Sequence, residues 1–227
     1  MHLEQNLKGI CAKNGIDFEN FLADMEVEEV HELSLFDLEA ICEEYEIDMM
    51  ALLFKPVFKS DFIQEKISKI KFLILDVDGV MTDGGMYMTE KGDQMKKYNT
   101  KDGMAIMHLS RSGFPIGIIS SGFTEHLVQD RAKLLGIQHC YVGQESKINI
   151  LNNWCAELKI SLEEVGMIGD DINDIEIMKS IGFSACPANA VNAVKSISHV
   201  ILSSQGGAGC VREFIDAYLL KTPISSC

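Results

Sequence analysis

A chain of 227 residues, 47 % hydrophobic and 24 % charged, has the balance of one sizeable globular domain, or of an ordinary domain with a small one attached. Its net charge of −14 argues against nucleic acid and against anionic membrane surfaces as partners. No apolar run approaches the roughly 20 residues needed to span a bilayer.

The opening "MHLEQNLKGI" has no basic stretch followed by an apolar one, so a cytoplasmic location is expected. Residues 1–56 read as helical throughout. "EQNLKGICAKNG" and "SLFDLEAICEEYEIDMMALLF" carry apolar positions at helical spacing, with Ser34 as N-cap of the second. This segment holds fourteen Asp and Glu against three Lys, while the rest holds twenty acids against seventeen bases. The shift places a boundary near Pro56, giving an acidic helical domain over 1–56 and a second domain over 57–227.

From Lys71 onward the pattern changes. "KFLILD" (71–76), "PIGIIS" (115–120), "HCYV" (139–142), "EVGMIG" (164–169) and "HVIL" (199–202) read as strands. They are continuous apolar runs, as expected of strands buried on both faces of a parallel sheet. Helix-length segments alternate with them, at about 102–112, 124–135, 146–158, 172–181 and 209–220. The alternation predicts an α/β fold with a doubly wound parallel sheet. "GMYMTEKGDQMKKYN" (85–99) interrupts it as a β-hairpin around a Glu-Lys-Gly-Asp turn. The seven scattered cysteines form no CxxC pair and read as reduced thiols. The six histidines show no metal-ligand spacing.

Ligands of an open parallel sheet bind beyond the carboxyl ends of its strands. Asp76 and Asp78 end the first strand, Ser120 and Ser121 the second; Asp170, Asp171 and Asp174 follow "GMIG", and Lys147 opens a helix. Carboxylates so crowded need a cation. Mg²⁺ fits, being hard and oxygen-seeking, and it suits phosphoryl transfer. In that chemistry Asp76 attacks phosphorus and forms an aspartyl-phosphate. Asp78 protonates the leaving oxygen and then activates water. Lys147 and the Ser120 hydroxyl hold the phosphoryl oxygens. Ser121 reads as a loop residue or a further phosphate contact.

"DVDGV", the "IIS" strand tip, Lys147 and "GDDIND" resemble, in order, the four motifs of the haloacid dehalogenase superfamily. Over about 70–220, "DVDGVMTDGGMY", "YNTKDGMAI", "GQESK", "IGDDINDIEIM" and "GGAGCVREF" are similar to the cap-less 3-deoxy-octulosonate 8-phosphate phosphatase family, related to phosphatases of nonulosonate 9-phosphates. The resemblance implies a Rossmann-like fold, with Asp76 as nucleophile and Asp78 as acid/base. It implies Mg²⁺ on Asp76, the Asp78 carbonyl and Asp170, with Asp171 or Asp174 behind. It also implies a homotetramer whose neighbouring chains complete each site.

Three features depart from that family. Gly122 stands where a sugar-selecting arginine or glutamate often follows the second motif. Lys101 stands where arginine is common, and Arg212 is the arginine left near the glycine-rich segment. Lys101 and Arg212 are therefore the candidate substrate contacts. Residues 1–56 resemble a phage-repressor helix-turn-helix domain, but "EVEEVHEL" (26–33) puts four glutamates where the recognition helix would lie. Such a surface repels phosphate, so a degenerate domain for packing or protein contacts, or a plain acidic extension, is expected.

The expected function is a Mg²⁺-dependent phosphomonoesterase acting on an eight- or nine-carbon keto-sugar acid phosphate made for surface polysaccharide. The alternatives are a phosphatase of another small sugar phosphate, or a non-catalytic scaffold associated with a cytidylyltransferase.

Overall fold

The computed structural model describes residues 2–54, 59–90, 94–122 and 125–220. Two units divide the chain, Met1–Glu65 and Lys66–Cys227. The composition shift at Pro56 lies outside the described residues.

The first unit contains helices α1 (Leu3–Asn14), α2 (Phe18–Asp24), α3 (Leu35–Glu44) and α4 (Met49–Phe54), followed by α5 (Lys59–Ser68). Ser34 caps α3. Its Oγ accepts the Asp37 amide at 3.3 Å, and the Asp37 carboxylate takes the Ser34 amide at 2.7 Å. Leu7, Ile10, Ile41 and Leu52 form the centre of this unit's core. Each such burial is worth about 1.5–3 kcal/mol. Residues 26–33, where a repressor-like domain would hold its recognition helix, contain one 3₁₀ turn, Val30–Glu32.

The second unit is built on a six-stranded parallel sheet. Its strands are β1 (Phe72–Leu75), β4 (Ile116–Ser120), β5 (His139–Val142), β6 (Val165–Ile168), β7 (Phe183–Cys186) and β8 (Val200–Ile201), in the spatial order β5-β4-β1-β6-β7-β8. Every residue of β1, β4, β6 and β7 is buried, which is why these stretches are apolar without alternation. The connecting helices are α6 (Thr100–Arg111), α7 (Glu125–Leu135), α8 (Lys147–Leu158), α9 (Ile175–Ser180), α10 (Asn192–Ile197) and α11 (Cys210–Phe214). The hairpin strands β2 (Tyr87–Met88) and β3 (Gln94–Met95) pair antiparallel, and a Thr82–Tyr98 bridge closes their base. The hairpin's tip, residues 91–93, lies outside the described residues.

Besides α5, a strand and a helix of the second unit were not expected from the sequence. Strand β7, "FSAC", carries Ser184 in mid-strand, and α10 follows it. Ser184 is buried because His199 satisfies it: the Ser184 amide donates to His199 Nδ1 at 3.1 Å, and the hydroxyl lies 2.9 Å from the same nitrogen. The segments at 172–181 and 209–220 also deviate. The first is a 3₁₀ turn (Ile172–Asp174) running into α9. The second is α11 continued by a π-helical turn, Ile215–Leu219.

Burial, reinforced by Lys66, lowers the His199 pKa to about 4. The unfolded chain takes up this proton below about pH 6.5 and the folded one only near 4. The contribution is therefore whole above pH 6.5 and is lost as pH falls toward 4. Urea titrations should show an acid-side loss of up to roughly 2–3 kcal/mol that is missing in His199→Phe. Parallel pH profiles for the two proteins would remove His199 from the account.

Candidate active site

Strand β1 lies between β4 and β6, the point where the chain reverses its progress across the sheet. A crevice opens beyond the strand ends at such a switch point. The register aligns the tips, since Leu75 pairs with Ile118 on one side and Ile168 on the other. Asp76 leaves β1 with its amide still bonded to the Ile168 carbonyl at 3.1 Å. Ser120 ends β4, and Asp170 stands two residues beyond β6.

The chain turns sharply after Asp76. Gly79 adopts φ 101°, and a Cβ there would lie 2.0 Å from Asp170 Oδ2. Only glycine satisfies both the backbone and the close approach. The turn therefore delivers Asp76 and Asp78 from β1 against Asp170 from β6.

Lys147, the first residue of α8, reaches into the same point. Its Nζ donates to Asp76 Oδ1 and to Asp174 Oδ1, both at 2.6 Å. All three side chains are buried. Burial opposes the lysine's charge, but Asp76 and Asp174 outweigh it and leave its pKa raised. Burial and then Asp174 push the Asp76 carboxyl well above its ordinary range, against the pull of Lys147. Asp170 is raised to about 7, by burial and then by Asp174 and Asp171.

One oxygen each from Asp76, Asp170 and Asp174 lie within 4.8 Å of one another. Asp174 is already engaged, since Oδ1 takes Lys147 and Oδ2 takes the Asp170 amide at 3.0 Å. Asp170 Oδ1, by contrast, is buried and accepts no hydrogen bond among the described residues. A buried acceptor left open beside other carboxylates is what a hard divalent cation would fill. The donor set fits such an ion. Asp171 faces outward and caps the following turn, its Oδ1 accepting the Ile172 amide at 2.7 Å.

A cavity of about 300 Å³ opens over this floor. Of the expected site residues Asp76, Asp78, Ser120, Ser121 and Asp171 line it, together with Gly122, while Lys147, Asp170 and Asp174 cluster about Asp76. Ser120 is buried, and its Oγ accepts the Gly122 amide at 3.1 Å. Lys101 and Arg212 do not line the cavity. Lys101 is exposed in the first turn of α6. The Arg212 guanidinium pairs with Asp216 one helical turn on, and its amide donates to Asp102 at 2.8 Å.

The sequence reading overlooked three polar side chains of the lining. Asn173 donates to Ser121 Oγ at 3.3 Å and links two strand tips. Tyr87 and Lys96 come from the hairpin, and the Lys96 ammonium pairs with Asp78. Asn173 could have been found inside "GDDIND". Nothing local marks Lys96, because 18 residues and a folded-back hairpin separate it from Asp78.

Residues 127–215 match the model of the haloacid dehalogenase-like hydrolases. The chain is 38 % identical over 161 residues to the 3-deoxy-D-manno-octulosonate 8-phosphate phosphatase of Yersinia pestis, covering 71 % of this chain and 86 % of that one. It is 37 % identical over 158 residues to the Shigella flexneri enzyme of the same name, covering 70 % and 84 %. The fold matches the crystal structure of the Moraxella catarrhalis phosphatase of that name, in complex with magnesium, phosphate and its sugar acid. The TM-score is 0.68 at 32 % identity, covering 70 % of this chain and 91 % of that one.

Proposed function

Since the chain belongs to the 3-deoxy-D-manno-octulosonate 8-phosphate phosphatase family of haloacid dehalogenase-like hydrolases, we propose that it is a Mg²⁺-dependent phosphomonoesterase of a keto-sugar acid. Its substrate is 3-deoxy-octulosonate 8-phosphate or a nonulosonate 9-phosphate. The observation that carries this reading is the buried Asp76–Lys147–Asp174 triad beside the open oxygen of Asp170, all beneath one cavity.

Asp76, Asp170 and the Asp78 carbonyl would hold Mg²⁺, with Asp174 supporting them from behind. When bound, the ion neutralises the crowded carboxylates and the phosphoryl oxygens. The remaining steps belong to the chain's own residues. An Asp76 oxygen attacks phosphorus as the bond from phosphorus to the sugar oxygen breaks. Asp78 gives its proton to that oxygen and the sugar leaves as an alcohol. Asp78 then accepts a proton from water, which attacks the aspartyl-phosphate, releases phosphate and restores the Asp76 carboxylate. Lys147 keeps Asp76 oriented, and Ser120 supplies a hydroxyl to the phosphoryl group.

A screen of phosphorylated keto-sugar acids and neutral sugar phosphates, with Mg²⁺ and with a chelator, tests this directly. Turnover should appear with the acids, vanish with the chelator and return with added Mg²⁺. Asp78→Asn should lose about 10²–10⁴-fold in kcat, the usual worth of general acid–base catalysis. Turnover indifferent to the chelator would refute the metal's role; no turnover at all would favour a scaffold.

No helix among the described residues is long and apolar enough to cross a membrane. The reading extends to assembly. Only the hairpin and α6 separate the first strand tip from the second, so no domain-sized cap lies between them. Met86, Met88 and Met95 on the hairpin are exposed. These apolar hairpins assemble a homotetramer. Light scattering at micromolar concentration should give a tetramer, and Met86→Lys with Met88→Lys should dissociate it and lower activity. A fully active monomer would rule the assembly out. Residues 1–56 stay outside the chemistry, because every residue assigned to it lies beyond Lys71.

A further inference from the structure

The cavity presents a problem of charge. The substrate proposed above carries two anionic groups, a phosphate and a carboxylate, and this inference rests on that substrate. Lys147 is spent on two buried carboxylates at the floor. Ser121 and Gly122 at the tip of β4 bring no charge. Among the described residues lining the cavity, Lys96 is the one cation.

Its placement is built, not accidental. The Thr82–Tyr98 bridge ties down the hairpin two residues from Lys96. Thr82 is fixed in turn, its Oγ1 donating to the Val77 carbonyl at 3.1 Å. Neighbouring Lys97 pairs instead with Asp83, at 3.3 Å. The Lys96 side chain is only 12 % exposed, although its partner Asp78 is 43 % exposed. Lys96 thus lies sheltered along the cavity wall, beside Met86, Tyr87 and Met95, with its ammonium on the acid/base residue.

That pairing suits the resting site and not the reaction. An acid/base residue must face the leaving oxygen, and Asp78 cannot turn to it while its Oδ1 is held on the Lys96 ammonium. The phosphate goes to the buried end, against Asp76. The sugar lies toward the mouth, past Asp78, where Lys96 waits. We propose that Lys96 is a specificity residue: it leaves Asp78 when substrate enters and pairs with the carboxylate of the sugar acid. The exchange releases Asp78 for proton transfer only when the leaving group is itself an anion. A neutral sugar phosphate fills the same cavity and leaves the lysine on Asp78.

The test compares a phosphorylated keto-sugar acid with a neutral sugar phosphate of similar size, in wild type, Lys96→Met and Lys96→Arg, all with saturating Mg²⁺. Wild type should prefer the acid. Lys96→Met should lose about 10–100-fold in kcat/KM on the acid, the worth of a charge-assisted bond, with KM carrying most of the loss. Its kcat/KM on the neutral phosphate should rise, because no ammonium holds Asp78 any longer, so the preference collapses from both sides. Lys96→Arg should restore most of the preference, which a merely structural lysine would not require. Equal losses on both substrates, or an unchanged preference in Lys96→Met, would overturn the role of Lys96 while leaving the phosphatase reading standing. A wild-type enzyme that turns over both phosphates without preferring the acid would overturn this inference together with the substrate proposed above.

Discussion

Asp76→Asn should abolish turnover, by about 10⁴-fold or more, while leaving the metal-free protein at least as stable as wild type. The activity loss follows from chemistry: an amide is a poor nucleophile and a poor ligand for a hard cation. The stability result follows from the charge count at the floor of the site. Asp76, Asp170 and Asp174 crowd together against the single ammonium of Lys147. Burial is the largest influence raising the Asp76 carboxyl, with Asp174 next. Its ionised form is therefore a cost that the fold bears for function. Asparagine keeps the shape and removes the charge. In chelator the variant's Tm should equal the wild-type value or exceed it by a few degrees, since about 1 kcal/mol moves a domain of this size by roughly 2–4 °C. In Mg²⁺ the order should reverse, because wild type gains binding free energy that the variant lacks. Near-native turnover in Asp76→Asn would end the nucleophile assignment. A Tm far below wild type in chelator would show that the carboxylate stabilises the fold.

That count was visible in the sequence only in part. "KFLILD" ends in Asp76 and Asp170 directly follows "EVGMIG"; a parallel sheet has one place to gather such tips, so Asp76 and Asp170 could be assigned before their distances were known, with Lys147 added by its order among the motifs. Strand β7 escaped notice because its mid-strand serine breaks the apolar run, and the partner that makes this tolerable, His199, is fifteen residues away. The division of labour between Asp170 and Asp174 came from the family resemblance and not from the residues themselves. Both sit in "GDDIND", and only the donors around them distinguish one from the other: Asp174 takes Lys147 and the Asp170 amide, while Asp170 Oδ1 stays open. Lys96 lay beyond sequence reasoning because its role depends on how a hairpin folds back, and strand periodicity does not carry that direction.

Lys147→Met should behave as the opposite of Asp76→Asn. It removes the cluster's ammonium and leaves Asp76 and Asp174 facing each other without compensation. Stranding a buried charge by deleting its partner costs about 3–5 kcal/mol, which for this unit is roughly 10 °C in Tm. The direction of the Lys147 shift supports that size, since Asp76 and Asp174 raise its pKa even against the burial that opposes the charge. Activity should fall as well, by about 10²–10³-fold, the scale of losing one preorganised donor to a developing anion. Because the two substitutions act on one charge cluster, their effects will not add. The double variant, Lys147→Met with Asp76→Asn, should recover a good part of the stability lost by Lys147→Met alone, while remaining inactive. Mg²⁺ should also stabilise Lys147→Met, because a divalent cation supplies charge that the lysine no longer does. Thermal melts of the four proteins, in chelator and in Mg²⁺, read every arm of this cycle. If Lys147→Met melts with wild type in chelator, the buried triad is not held by charge. The lysine would then serve the phosphoryl group alone.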